Sequence, residues 1–168
     1  MVEPEKSLIN IAQELGTALK VHGFVLALAE SCTGGMVSQA ITSIAGSSAW
    51  FDRGFVTYSN AAKIEMLGVS PATLEKLGAV SEEVAKEMAL GALKNSHAKI
   101  AGSITGTAGP DGGTVDKSVG TVCFGIAQAN QRITNTQHFT GNRQAIRQPA
   151  AAFLMQLLIQ CINSSIKE

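Results

Sequence analysis

The chain has 168 residues, of which 45% are hydrophobic and 15% charged, and its Lys+Arg and Asp+Glu counts balance at 13 each. That length supports a core without staples, and zero net charge supplies no field to gather nucleic acid or an acidic membrane surface. Cys32, Cys123 and Cys161 form no CxxC pair, His22, His97 and His138 lie far apart, and no run approaches ~18 apolar residues; a disulfide framework, a metal site and a membrane span are therefore not expected.

Leu8, Ile11, Ala12, Leu15, Ala18 and Leu19 recur at helical spacing and predict a helix over 8–21, ended by Gly23. Phe24 to Ala29 is an apolar run that stops at Glu30, the pattern of a first buried strand. Ser31-Cys-Thr-Gly-Gly35 is a small-residue turn, and apolar residues at 36, 37, 40, 41, 44 and 45 predict a helix over 36–45. Strand, tight turn and helix together place Ser31 at the carboxyl edge of a sheet, beside backbone N–H groups. Such a corner binds an anion or holds a nucleophilic hydroxyl next to oxyanion donors. The turn itself leaves both uses open.

Gly46 to Trp50 reads as a flexible loop and Gly54 to Ser59 as a second strand. Asn60 is the expected N-cap of a helix over 61–67, stopped by Gly68. Ser70 and Ser81 cap two further helices, the first opened by Pro71 and the second running over 82–94. Lys99 to Ile104 is a third strand that breaks into a long glycine-rich loop over 105–120, the kind of loop that carries function. Thr121 to Ala127 and Arg132 to Phe139 predict a hairpin, and a last helix runs from near Asn142 to about Ile162. One domain over 1–168 is expected, of α/β class: a three-layer α/β/α sandwich with a mixed, mostly parallel sheet.

Three polar, glycine-bearing segments, 30–35, 46–48 and 105–113, are predicted to share a pocket off the strand ends. Their residues Thr33, Gly34, Gly35, Gly46, Ser47, Ser48, Thr105 and Gly106 are the candidate binding positions. Neither GxSxG nor GxxxxGK[ST] occurs, which argues against an ordinary α/β-hydrolase or NTPase. A nucleophilic Ser31 then needs a different base, and Lys63, on the helix after the second strand, is the attractive one. An ordinary lysine of pKa ~10.4 is only about 0.04% neutral at pH 7, so burial or a cationic neighbour must depress it. Tyr58, the single tyrosine, is placed to relay a proton or position the pair. Spacing alone favours a solvated helix lysine at Lys63 and leaves Ser31 balanced between turn cap and nucleophile.

Ala29-Glu-Ser-Cys-Thr-Gly-Gly35, Gly46-Ser-Ser48, Thr57-Tyr-Ser-Asn60 with Lys63, Gly78-Ala-Val-Ser81, and Gly106-Thr-Ala-Gly-Pro-Asp-Gly-Gly113 with Gly120-Thr-Val122 resemble one family in the same order. It is the nicotinamide mononucleotide deamidase (PncC) family, also found as the C-terminal domain of the competence/damage-inducible protein CinA. The resemblance implies hydrolysis of nicotinamide mononucleotide to nicotinic acid mononucleotide and ammonia, without cofactor or metal. It carries a nucleophile onto Ser31, a base onto Lys63 and an assisting role onto Tyr58, with oxyanion donors at 32–35 or 46–48. The substrate phosphate is expected on Arg143 and Arg147, four apart on one face of the last helix. Thr105 and the 106–113 loop are expected over ribose or phosphate, and Cys32 is expected to be a buried packing residue.

The sequence departs from the family pattern at Ala61, often glutamate, and at Pro149, where glutamine is expected. Pro149 predicts a kink or restart at 148–149 and an altered aim for Arg147. Two other readings remain: a non-catalytic nucleotide-binding domain, and an amidase for another small carboxamide. The N-terminus lacks the pattern of a secretory leader, so a cytoplasmic protein is expected. The lean surface charge predicts a homo-oligomer, dimer or larger.

Overall fold

Fully apolar strand segments are stable only where both faces are covered, and the strands at the centre of this protein are covered on both. The computed structural model describes residues 7–165. Its five strands, β1 (Leu26–Glu30), β2 (Phe51–Val56), β3 (Ile100–Gly106), β4 (Thr121–Gln128) and β5 (Gln131–His138), form one sheet in the order β2-β1-β3-β4-β5. β1 pairs in parallel with both β2 and β3, and β4 is antiparallel to its neighbours β3 and β5. Every strand but β4 therefore points the same way, the mixed, mostly parallel sheet expected.

Among the described residues six α-helices cover the sheet: α1 (Leu8–His22), α2 (Met36–Thr42), α3 (Asn60–Leu67), α4 (Pro71–Leu77), α5 (Glu82–Lys94) and α6 (Arg143–Ser164). Strand side chains alternate between faces. Leu26 and Leu28 enter the larger core with α1, α2 and α6, whereas Ala27, Ala29 and Ala101 enter a smaller one with α3, α4 and α5. Small residues on that second face let α5 ride close: a Cβ at Gly125 would strike the carbonyl of Ala85, and Ser103 Oγ donates to that same carbonyl.

Several local expectations change. The segment 46–50 is no flexible loop: Ser47–Ala49 forms a 3-10 turn and Trp50 is buried against Gly16 of α1, where a Cβ would lie 2.6 Å from the indole. β2 starts at Phe51, earlier than expected, because Trp50 anchors its entry. The cap of α3 is Ser59, whose hydroxyl accepts from Ala62 N, and Asn60 is already helical. α6 runs unbroken through Pro149. The ~3 kcal/mol cost of an interior proline is offset by burial of Ala150, Ala151, Leu154, Met155 and Leu158 along the same helix. Among the described residues α6 is the one helix long and apolar enough to cross a membrane, and these side chains form part of the core.

Candidate functional site

The chain leaves β1 for β2 on one side and later returns to β3 on the other. β1 is thus the point where strand order reverses, and the crevice off its carboxyl end is where open α/β sheets bind ligands. Glu30 ends β1 and Ser31 follows, its N–H donating to Ile104 O at 3.0 Å, one step beyond the β1–β3 ladder. On the other flank Thr57 N donates to Glu30 O at 2.9 Å. The Glu30–Ser31 peptide is consequently held on both sides, its N–H by β3 and its C=O by the residue after β2.

Lys63 reaches it from α3. Lys63 Nζ lies 3.0 Å from Ser31 Oγ, 2.8 Å from Thr57 O and 3.5 Å from Tyr58 O. The residue is 1% exposed. Burial pushes its pKa below the usual 10.5, and the first turn of α3 adds the positive end of a helix dipole. A neutral amine has two hydrogens and one lone pair, which matches two carbonyls and one hydroxyl. As an ammonium Lys63 donates to Ser31 Oγ; once deprotonated, it would keep its two hydrogens for the carbonyls and turn its lone pair on the Ser31 hydroxyl.

Cys32, adjacent to Ser31, is buried and its thiol is pushed up to about 12 by that burial. It is a protonated packing group at neutral pH, as expected. Thr33 turns inward, and its hydroxyl donates to Glu30 Oε1 at 2.7 Å. Gly34 and Gly35 take φ of 58° and 103°, the left-handed turn that starts α2.

Glu30 bears on the anion-binding use of this corner. Its carboxylate is fully buried and accepts from Thr33 Oγ1, Val37 N, Ser38 N and Ser38 Oγ at 2.7–3.0 Å. The anion seat at the start of α2 is filled by the protein's own side chain. A charged residue closing an apolar strand was the available signal for this role, and sequence reasoning did not use it.

Ser31, Cys32, Lys63, Thr105, Gly106 and Arg143 line one cleft of about 250 Å³. Tyr58 stands at its edge and is 62% exposed, with its hydroxyl accepting from Arg143 Nη2 at 3.0 Å. It is the backbone carbonyl of Tyr58 that faces Lys63, so the ring makes no relay contact with the pair. Arg143 Nη1 also donates to Gly109 O at 2.7 Å, joining the 107–120 loop to α6. Thr105 Oγ1 donates to Ala79 O at 3.0 Å, which ties the 78–81 segment to the cleft wall. Asp111, within the 106–113 loop expected there, lines the cleft as well, and so do Asn60, Ala79 and Val80, which sequence reasoning had not placed as site residues.

Two expectations about the cleft fail. Gly46, Ser47 and Ser48 precede β2, whose first residue pairs with Leu26 at the start of β1. They sit at the opposite end of the sheet, so of the three glycine-bearing segments only two meet within the chain. Arg147 is absent from the cleft lining: its guanidinium donates to Cys32 O, Thr33 O and Gln144 Oε1. Ala61 is exposed and also outside the lining, two residues from Lys63 and hence on another face of α3.

The model of the CinA C-terminal domain matches residues 8–162. The chain is 57% identical over 157 residues to the nicotinamide-nucleotide amidohydrolase PncC of Enterobacter agglomerans, covering 93% of this chain and 96% of that protein. It is 53% identical to the PncC of Escherichia coli K12, over 93% and 95% of the two chains. The crystal structure of the competence/damage inducible protein CihA from Agrobacterium tumefaciens superposes with a TM-score of 0.90 at 40% identity, over 97% of this chain and 99% of that one. With this fold and this match along nearly its whole length, the chain belongs to the CinA C-terminal domain family.

Proposed function

We propose that the protein is a nicotinamide-nucleotide amidohydrolase that converts nicotinamide mononucleotide to nicotinic acid mononucleotide and ammonia through Ser31 and Lys63. The observation that carries the reading is the 3.0 Å approach of Lys63 Nζ to Ser31 Oγ inside a buried cleft. Its relatives' names supply the substrate class.

Ser31 Oγ attacks the carboxamide carbon while its proton passes to neutral Lys63 Nζ. Backbone N–H groups at Cys32 and Thr33 receive the developing oxyanion, the kind of donor worth ~10²–10³ in rate. The Lys63 ammonium then protonates the departing amine, which leaves as ammonia, and an acyl-Ser31 ester remains. Water attacks the ester carbonyl and gives its proton to Lys63, which returns it to Ser31 as the nicotinate carboxyl is released. Cys32 does not compete, since its thiol stays protonated.

At about 250 Å³ the cleft is smaller than the ~300–1,000 Å³ of most ligand pockets. It suits the pyridine ring, with ribose and phosphate at the mouth beside Arg143 and the exposed face of Tyr58. Thr105 and the loop after Gly106 border the same opening. Ala61 lies off the cleft, so its departure from the family pattern gives no support to a non-catalytic domain. The lean charge of the chain further supports a homo-oligomer, and its composition a cytoplasmic protein working on a small nucleotide without nucleic acid or membrane.

The test is ammonia release from nicotinamide mononucleotide beside free nicotinamide. Release from the mononucleotide alone is the expected result. Equal release from both would favour an amidase for other small carboxamides, and none from either would end the assignment.

A further inference from the structure

Arg147 sits in the second turn of α6, and all its guanidinium nitrogens are directed at acceptors of the chain itself. Nε donates to Cys32 O at 3.0 Å, Nη2 to Thr33 O at 3.0 Å, and Nη1 to Gln144 Oε1 at 3.2 Å. The carbonyls it holds are consecutive and belong to the turn directly after Ser31. On the opposite side of that turn, the Glu30 carboxylate holds the N–H groups of Val37 and Ser38. The nucleophile turn is thus held by its carbonyls from α6, while Glu30 at the end of β1 holds the Thr33 hydroxyl and the α2 amides that follow the turn.

We propose that Arg147 is a positioning residue that sets the backbone of the Ser31 turn, rather than a ligand of the substrate phosphate. A trans peptide carries its N–H antiparallel to its C=O. By fixing Cys32 O and Thr33 O, Arg147 therefore turns the N–H groups of Thr33 and Gly34 away from itself. The Gly34 N–H closes back on Ser31 O at 3.0 Å, and the Thr33 N–H is the oxyanion donor whose direction the guanidinium determines. A planar fork is needed because it meets two successive carbonyls at fixed spacing, which a lysine ammonium does not. Moving this side chain to a phosphate would take the guanidinium from Cys32 O and leave Thr33 O with the Met36 N–H alone. Arg143, which lines the cleft, has no such obligation to the turn and remains the cation for the mouth.

This inference rests on the amidohydrolase reading only for its kinetic consequence, and a structural measurement tests it independently. Arg147→Lys and Arg147→Gln are compared with the unaltered chain for kcat, for affinity toward nicotinic acid mononucleotide, and for amide hydrogen exchange of residues 31–36. Misplacement of the turn is expected to lower kcat about 10²-fold, with product affinity held within about threefold and exchange of 31–36 at least tenfold faster, while exchange of β4 is unchanged. A tenfold loss of product affinity with kcat retained would show a phosphate ligand and overturn the proposal. Unchanged exchange at 31–36 in both variants would overturn it as well. An unaltered chain without turnover would instead sink the amidohydrolase reading, and the exchange rates would still decide the role of Arg147.

Discussion

Ser31 Oγ and Lys63 Nζ stand 3.0 Å apart although 32 residues separate them in sequence. Their meeting is a consequence of topology: Ser31 directly follows β1, β2 runs beside that strand in parallel, and α3 begins just after β2. The Ser59 cap fixes where α3 starts, and Lys63, one turn later, returns to the sheet edge. The Glu30 carboxylate occupies the Val37 and Ser38 amides at the start of α2, so those two are not open to an external anion.

The first prediction concerns pH. Burial depresses Lys63 below 10.5, so kcat/KM is expected to rise with pH along an acid limb whose midpoint lies under that value. Lys63→Arg keeps a charge that never deprotonates and is expected to lose about 10²–10⁴ in kcat, the range of a general base. Stability carries the same signature. The folded state disfavours the proton, so the unfolded chain binds more protons between the folded-state pKa and 10.5. Stability from this group therefore rises with pH across that window, and Lys63→Met is expected to abolish the increment in thermal melts taken at successive pH values.

Glu30→Gln tests the buried cap. Its amide group can accept at one end only, which leaves donors at Val37 or Ser38 facing a donor. Urea unfolding is expected to show a loss of about 2–4 kcal/mol, since each unmet buried donor costs ~1–3 kcal/mol.

Tyr58→Phe separates a relay from an edge residue. The hydroxyl meets Arg143, not the Ser31–Lys63 pair. Steady-state kinetics are expected to show a fall in kcat under about fivefold, against the ~10²–10⁴ that loss of a proton-transfer group would bring.

Gly91→Ala probes the support beneath Lys63. α5 approaches α3 so closely at Gly91 that a Cβ would overlap the Leu67 carbonyl. Overpacking of this kind costs ~1–3 kcal/mol, which exceeds the ~1 kcal/mol gained in helix propensity. A lowered unfolding midpoint is expected, with kcat reduced more than KM is changed because α3 carries Lys63.

The layers were legible because the local signals are strong: helical spacing in α1, the apolar run ending at Glu30, and serines before α4 and α5. What escaped sequence reasoning depends on contacts distant in the chain. Nothing local in Gly46-Ser-Ser48 tells that Trp50 packs on Gly16 and pulls the segment to the far end of the sheet. Arg143 and Arg147 look equivalent on one helix face, and only the position of the Ser31 turn beside α6 divides them into a cleft residue and a brace. Pro149 predicted a break by a local rule, and burial along α6 overrode it. The pairing of Ser31 with Lys63 was legible as a possibility of strand order, while the depth of its burial was not.

The most direct test of the account is ammonia release from nicotinamide mononucleotide by Ser31→Ala beside the unaltered chain. The variant removes one hydroxyl from a braced turn and leaves Lys63 its two carbonyl partners, so the fold is retained. Turnover reduced to the background rate is the predicted result. Turnover by Ser31→Ala within tenfold of the unaltered chain would contradict Ser31 as the nucleophile.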